Sequence, residues 1–338
     1  MPAVSVLLPC YNAARTLPQT LDSLLRQTLA DFEIVAVNDG STDETPALLR
    51  AWAAREPRLR LLDLPHGGII PALNAGLAAC RAPYVARLDA DDLCEPQRLE
   101  LQAAFLDRRP EVDVVSCRVR GFPPQDVREG FAIYLEWLNG LLTDAEIRRE
   151  LFVESPLPHP SVTFRRAAVL DVGGYQEHGW AEDYDLWLRL ALRGCRFAKL
   201  PETLLAWREH PDRLTRTDGR YSLENFLRAK AHYLALGPLN GRGTVLVWGA
   251  GMVGRRLGRQ LLRLGLPLAA FIDIDPRKIG STRHGRPVIA PDALLELWRA
   301  SPQPALLAAV GARGARQIIR ARLEALGLVE GRDWWSAA

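Results

Sequence analysis

Long apolar runs are missing from this sequence. None approaches the roughly 18–20 residues that a membrane-spanning helix requires, so an integral membrane protein is not expected. Cysteine is sparse: Cys10, Cys80, Cys94, Cys117 and Cys195 are odd in number and lack the paired spacing of a metal site. Reduced thiols in a cytoplasmic protein fit them better than a disulfide framework. Lysine is nearly absent, with Lys199, Lys230 and Lys278 the three in the chain, and the remaining cations are arginine. No basic run is interleaved with aromatic residues, which argues against a nucleic-acid partner. The opening Met1-Pro2-Ala3-Val4-Ser5 carries no basic stretch before its first strand, so no signal peptide is expected. A glycine-rich, Arg/Lys-bearing triphosphate loop is also missing after that strand, which disfavours a nucleotidyltransferase.

What is present fits a globular protein of ordinary make-up, 48% hydrophobic and 25% charged. A length of 338 residues exceeds one ordinary core, and two domains are expected. The net charge of +3 is unevenly spread. Residues 1–240 hold 28 Lys+Arg against 33 Asp+Glu, while 241–338 hold 15 against 7. A basic tail suits an anionic nucleotide, an acidic lipid surface or the acidic first part of the chain itself.

The first half alternates strands and helices. Strands are expected at Val4–Leu8, Phe32–Val37, Leu59–Leu62 and Tyr84–Leu88, with helical spacing at Leu17, Leu21, Leu24 and Leu25 and again from Ile70 to Ala79. Such alternation implies a parallel sheet whose ligands sit at the carboxyl ends of its strands. Pro9-Cys10-Tyr11-Asn12, Asp39 and Asp89-Ala90-Asp91 all fall at such ends. A third acidic signal, Glu182-Asp183, opens an amphipathic helix that stops at Gly194. Carboxylates at the ends of buried strands are poorly solvated and usually hold a ligand or a metal. One pocket that binds a nucleotide, holds a divalent cation and activates a hydroxyl would need all three. Taken singly, each has a plain structural reading: a turn at Asn38-Asp39-Gly40, a solvated acidic turn at Asp89-Ala90-Asp91-Asp92 that caps the next helix, with Asp92 the best placed to cap, and an acidic helix start at Glu182-Asp183.

In order and spacing these segments resemble the family 2 glycosyltransferases of GT-A fold. The resemblance rests on Val4-Ser5-Val6-Leu7-Leu8-Pro9-Cys10-Tyr11-Asn12, Val37-Asn38-Asp39-Gly40-Ser41-Thr42-Asp43, Ala72-Leu73-Asn74-Ala75-Gly76-Leu77 and Ala86-Arg87-Leu88-Asp89-Ala90-Asp91-Asp92. It continues through His159-Pro160-Ser161-Val162-Thr163-Phe164, Glu182-Asp183-Tyr184-Asp185-Leu186-Trp187 and Arg208-Glu209-His210-Pro211, covering roughly residues 3–217. It implies an α/β chain with a GT-A nucleotide-diphospho-sugar transferase domain at 1–217. It further implies metal-dependent, inverting transfer from a nucleotide sugar, UDP-linked most often, to a hydroxyl of a sugar, lipid-linked or protein acceptor. By the same resemblance Pro9, Tyr11, Asn12, Asp39 and Asp89 bind the nucleotide sugar, and Asp91 with His210 holds Mn²⁺ or Mg²⁺. Asp183 is the base, and Glu182 orients the acceptor or the base. No Gln-x-x-Arg-Trp sequence follows Glu182-Asp183, a departure from the polymerising members that favours transfer of a single sugar. An inactive nucleotide-sugar-binding or scaffolding protein is the alternative, disfavoured because every position the chemistry needs is acidic.

Residues 218–240 read as a linker helix, and 241–338 as a smaller Rossmann-like α/β domain. There Thr244–Trp248 is a strand, Gly249-Ala250-Gly251-Met252-Val253-Gly254 opens a helix, and a second strand ends at Asp273. That order makes Gly249, Gly251, Gly254 and Asp273 a candidate second nucleotide site. A retained fold used for oligomer assembly is equally compatible, and an oxidoreductase is disfavoured because no substrate domain accompanies the tail. The expected location is cytoplasmic, with peripheral attachment to the inner face of the plasma membrane open.

Overall fold

The computed structural model describes residues 1–211 and 213–338. It divides the chain into two compact units. The first comprises Met1–Ile147, Pro156–His178 and Glu182–Thr217, and the second Arg148–Ser155, Gly179–Ala181 and Asp218–Ala338.

The first unit opens with β1 (Val4–Cys10), α1 (Leu17–Leu25), β2 (Phe32–Asp39), α2 (Thr45–Ala53), β3 (Leu59–Leu64), α3 (Ile69–Ala79) and β4 (Tyr84–Arg87). Pro18 and Pro46 sit in the first turns of α1 and α2, where the missing N–H has no partner to lose. After β5 (Leu93–Cys94) and α4 (Arg98–Arg108) come β6 (Val114–Phe122), α5 (Glu129–Asn139) and α6 (Asp144–Glu150), the last of which runs on into the second unit's segment. They are followed by β7 (Thr163–Arg165), α7 (Arg166–Asp171), α8 (Glu182–Leu192), β8 (Phe197–Arg208) and α9 (Leu214–Thr217). The eight strands form one sheet in the order β3-β2-β1-β4-β7-β6-β8-β5. β3, β2, β1 and β4 run parallel, and β7 reverses against both β4 and β6. β1 and β2 are buried along their whole length, as continuous apolar runs in a covered parallel sheet should be. The parallel part turns Cys10, Asp39 and Arg87 toward the same edge. α3 lies close enough to the sheet that a Cβ on Gly76 would stand 2.2 Å from Leu7 Cδ1, so only glycine fits there.

Beneath the β4 end lies a buried polar knot. The Arg98 guanidinium, fully buried, donates to Arg87 O (2.7 Å), Cys94 Sγ (3.2 Å) and Gln102 Oε1 (3.2 Å). Gln102 in turn donates to Ser161 O (2.8 Å) and accepts from Thr163 Oγ1 (2.7 Å). Networks satisfied to this degree fix one backbone path, here the one that carries Arg87 into Asp89.

The second unit holds α10 (Leu223–Leu236), β9 (Thr244–Trp248), α11 (Met252–Arg263), β10 (Leu268–Ile272), β11 (Thr282–Arg283), β12 (Arg286–Ile289), α12 (Leu294–Ala300), β13 (Pro304–Ala308), α13 (Ala315–Ala325) and β14 (Trp334–Ser336). Its sheet order is β11-β12-β10-β9-β13-β14. All neighbours from β12 to β14 are parallel, and β11 folds back on β12 as a hairpin. Leaving out that hairpin strand, the order is that of a doubly wound dinucleotide-type sheet. α10, read from sequence as a linker, buries Leu227, Ala231 and Leu234 completely and bonds to α11 through Gln260 Nε2 and Glu224. The Arg148–Ser155 segment joins the same unit: buried Glu150 pairs with Arg316 and Arg320 of α13 (3.2 Å for Arg320), and Lys230 Nζ donates to Val153 O at 2.7 Å.

Candidate active site

Asp39 ends β2 and is buried. Its Oδ1 accepts the Gly67 N–H (2.8 Å) and its Oδ2 the Gly68 N–H (3.0 Å), while His66 Nδ1 lies 3.0 Å from the same carboxylate. Gly40 follows at φ 63°, with His66 so close that a Cβ would fall 2.4 Å from its backbone nitrogen. The turn predicted at Asn38-Asp39-Gly40 therefore exists, and it aims the carboxylate. Tyr11 is half exposed and stacks on the His66 ring, centroids 4.2 Å apart. Asn12, at φ 49°, accepts the Thr42 N–H through Oδ1 (2.9 Å) and gives its own N–H to Ser41 Oγ (3.0 Å), bracing the β1 turn against the β2 turn. Pro9 is buried within β1 opposite Val37 and exposes nothing itself. Asp39, Tyr11 and Asn12 thus gather at one end of the sheet.

Past β4, Asp89, Asp91 and Asp92 offer carboxylate oxygens that all lie within 4.8 Å of one another. Asp91 Oδ2 meets His210 Nε2 at 2.8 Å, so residues 119 apart in sequence converge. Asp92, read from sequence as a helix cap, does something else. β5 follows it directly, α4 begins only at Arg98, and the Asp92 carboxylate is buried with Oδ1 accepting the Arg208 N–H (2.7 Å). The Arg208 side chain donates from Nε to Asp91 O (2.5 Å) and from Nη2 to Gln19 Oε1 (2.7 Å). Arg87, unnoticed in sequence because it sits inside an apolar strand, is buried and pairs with Asp89. Burial opposes its charge, yet Asp89 beside it raises its pKa above the ordinary arginine value.

Carboxylates this crowded cannot all ionise in comfort. Burial and then Asp91 and Asp89 push Asp92 well above the usual carboxylate range; burial also raises Asp89, against the pull of Arg87. Asp92 Oδ2 and His210 Nδ1 are buried without a hydrogen-bond partner. Oxygen-rich donors with one imidazole, mutual repulsion and an orphan oxygen are what a hard divalent cation relieves, so the residues fit Mg²⁺ or Mn²⁺.

Glu182 and Asp183 begin α8. Glu182 is buried, with Oε1 4.0 Å from His159 Nδ1; Asp183 is half buried and accepts the Tyr184 N–H (2.7 Å). Burial and the adjacent Glu182 carboxylate push Asp183 up to about 8. His159 is held neutral, its pKa driven well below the ordinary value by burial and by Arg87, and its Nε2 bonds Tyr175 OH at 2.8 Å. Asn74 clamps the turn before α8, donating to Tyr175 O (2.8 Å) and accepting the Tyr175 N–H (2.9 Å). That explains the Asn74 of the α3 motif, for which sequence alone offers no role.

In the second unit Gly249, Gly251 and Gly254 lead from β9 into α11. Gly249 (φ 123°) leaves 2.6 Å between a Cβ and Ala309 O, and a Cβ on Gly254 would overlap Gly249 O at 1.8 Å. Packing alone requires both. Gly251 meets nothing within 4 Å. Asp273 accepts the Ala250 N–H (2.9 Å), the Asp275 N–H (3.0 Å) and the Lys278 ammonium (3.1 Å), so both carboxylate oxygens are already engaged. These bonds hold its pKa low despite burial.

The sequence model described as Glycosyl transferase family 2 matches residues 5–173. The amylovoran biosynthesis glycosyltransferase AmsE of Erwinia amylovora is 36% identical over 219 residues, 64% of this chain and 79% of that one. Among solved structures, S. aureus TarS 1-349 in complex with UDP-GlcNAc superposes with a TM-score of 0.57 at 21% identity, over 78% of this chain and 72% of that one. The mannosyltransferase PcManGT of Pyrobaculum calidifontis, in complex with GDP-Man and Mn²⁺, gives 0.51 at 23% identity over 71% and 65%. The sheet order, the acidic strand ends and these likenesses agree: the chain belongs to glycosyltransferase family 2 and has its GT-A fold, followed by a smaller six-stranded α/β unit.

Proposed function

We propose that this glycosyltransferase is metal-dependent and inverting, and moves one sugar from a nucleotide-diphosphate sugar to an acceptor hydroxyl in polysaccharide or glycoconjugate synthesis. One observation carries the reading: Asp89, Asp91 and Asp92 converge at the β4 end with His210 on Asp91. UDP is the favoured nucleotide because the TarS neighbour was captured with UDP-GlcNAc. The AmsE relative, named for amylovoran biosynthesis, supports a glycan acceptor.

In this reading Asp39 accepts a ring N–H of the base and Tyr11 lends a ring face, while Asp89 takes the ribose or the metal shell. Asp91 and His210 would hold the cation, with Asp92 and Arg208 fixing their positions. Bound there, Mn²⁺ or Mg²⁺ supplies Lewis-acid neutralisation of the leaving diphosphate. Ionised Asp183 removes the proton of the acceptor hydroxyl as its oxygen attacks the anomeric carbon from the face opposite the nucleotide. The carbon–oxygen bond to the diphosphate breaks, and the nucleoside diphosphate leaves with the electron pair. Burial and mutual repulsion let Glu182 and Asp183 carry one negative charge more readily than two, and Arg87 offsets part of that cost.

Asp183→Asn tests the assignment. It should still bind the donor, since Asp183 faces the acceptor, and lose transfer by roughly 10²–10⁴-fold, the usual effect of removing a general base. A variant that keeps its turnover rate and loses donor affinity instead would contradict the role. The reading is measured over a panel of nucleotide sugars by calorimetry and product release.

A further inference from the structure

An open recess of about 430 Å³ lies on the solvent side of α11, lined by exposed Met252, Arg255, Arg259 and His284 and by part-buried Arg256. We propose that this recess is a second ligand site, for a small polyphosphate-bearing molecule, beside the glycine loop and built from residues other than those of the transferase centre.

Charge is the first ground. Elsewhere in this unit several arginines pair with carboxylates: Arg277 with Asp275, Arg316 and Arg320 with Glu150, Arg322 with Asp292, Arg332 with Asp333. No carboxylate among the described residues pairs with Arg255, Arg256 or Arg259. Arg259 follows Arg256 by three residues and Arg255 by four, and each of these two like-charge pairs costs some tenths of a kcal/mol in an exposed helix. An anion that bridges them reverses the sign of that interaction. The guanidinium is also the side chain best shaped for two-pronged contact with phosphate oxygens.

Shape is the second ground. α11 turns its other side inward, where Leu257 and Leu261 are fully buried and Gly258 lets Phe271 approach to 2.5 Å of a notional Cβ. The opposite wall is the β11–β12 turn, in which His284 (φ 51°) and Gly285 (φ 74°) make a tight left-handed corner. His284 Nε2 lies 2.9 Å from Arg255 O, which pins this wall to the helix. The recess is therefore built from two elements and has the size of a small-molecule pocket. A flat anionic membrane would meet a convex face more readily than such a recess.

The third ground is that part of the glycine loop is already engaged. The Ala250 N–H of the glycine loop is bonded to Asp273, and Asp273 is also held by Lys278. A phosphate ligand of this unit finds unspent donors on the arginine face.

The test uses the full chain in chelator, with inorganic tripolyphosphate as probe and calorimetry as readout. Arg255→Gln/Arg256→Gln/Arg259→Gln should weaken tripolyphosphate binding by roughly tenfold or more, as loss of charge-assisted contacts does, with an unchanged melting temperature. Asp39→Ala/Asp91→Asn, which disables the proposed donor site, should leave that binding intact. Equal binding by the triple variant, or loss of binding in the Asp39/Asp91 variant, overturns the proposal. So does co-sedimentation with anionic phosphatidylserine vesicles in the absence of tripolyphosphate binding, since that is a surface patch and not a pocket.

Discussion

As the proposed base, Asp183 carries two demands that oppose each other. A base must be ionised to accept a proton, yet burial and Glu182 raise its pKa to about 8. The transfer rate at saturating substrate should therefore climb with pH along a limb that lies well above the ordinary carboxylate range, half-complete near pH 8 and level only above it. A profile flat from pH 5 to 9 would contradict this. The same shift has a sign for stability. The folded pKa exceeds the unfolded one, so the protein is most stable, as far as this group goes, below about pH 4, and loses that stability as pH rises toward 8. Asp183→Asn should accordingly melt higher than the parent at pH 8, the gain shrinking toward pH 4. At this scale the sequence showed acidic residues well, because carboxylates after apolar runs are conspicuous. Arg87 escaped it, since an arginine inside a buried strand looks like an edge residue until its guanidinium is seen against Asp89. Asp92 was misread as a cap because the two-residue β5 that follows it has no periodicity to detect.

Among the elements, the early strands and helices were legible to within two residues, since each has one unbroken apolar period. α8 starts at Glu182 itself, so the acidic pair forms its first turn, where the helix dipole favours negative charge. α10 is the element whose role changed. Its apolar residues at 227, 231 and 234 have helical spacing, but spacing does not say whether a helix links or packs. Leu227 is fully buried. Leu227→Ala should cost about 2–5 kcal/mol of unfolding free energy, the range for deleting a buried leucine side chain. A linker would lose a few tenths, and chemical denaturation of the parent and the variant distinguishes the two.

For the whole molecule, the alternation of strands and helices pointed to two α/β units, and the structure has two sheets of that kind. The return of Arg148–Ser155 and Gly179–Ala181 to the second unit was invisible in sequence, because it depends on pairings such as Glu150 with Arg320, 170 residues apart. Long-range closure also makes the proposed metal site: His210 reaches Asp91 only once β8 has crossed the sheet beside β6. The central claim is that this closure creates a cation site on which sugar transfer depends. It is tested most directly by following nucleotide release from a UDP-sugar in chelator, after Mn²⁺ is added back, and in Asp91→Ala. The account predicts no turnover in chelator, recovery with Mn²⁺, and failure of the variant to recover at any Mn²⁺ concentration that saturates the parent. Full turnover in chelator, with Asp91→Ala as active as the parent, would contradict it.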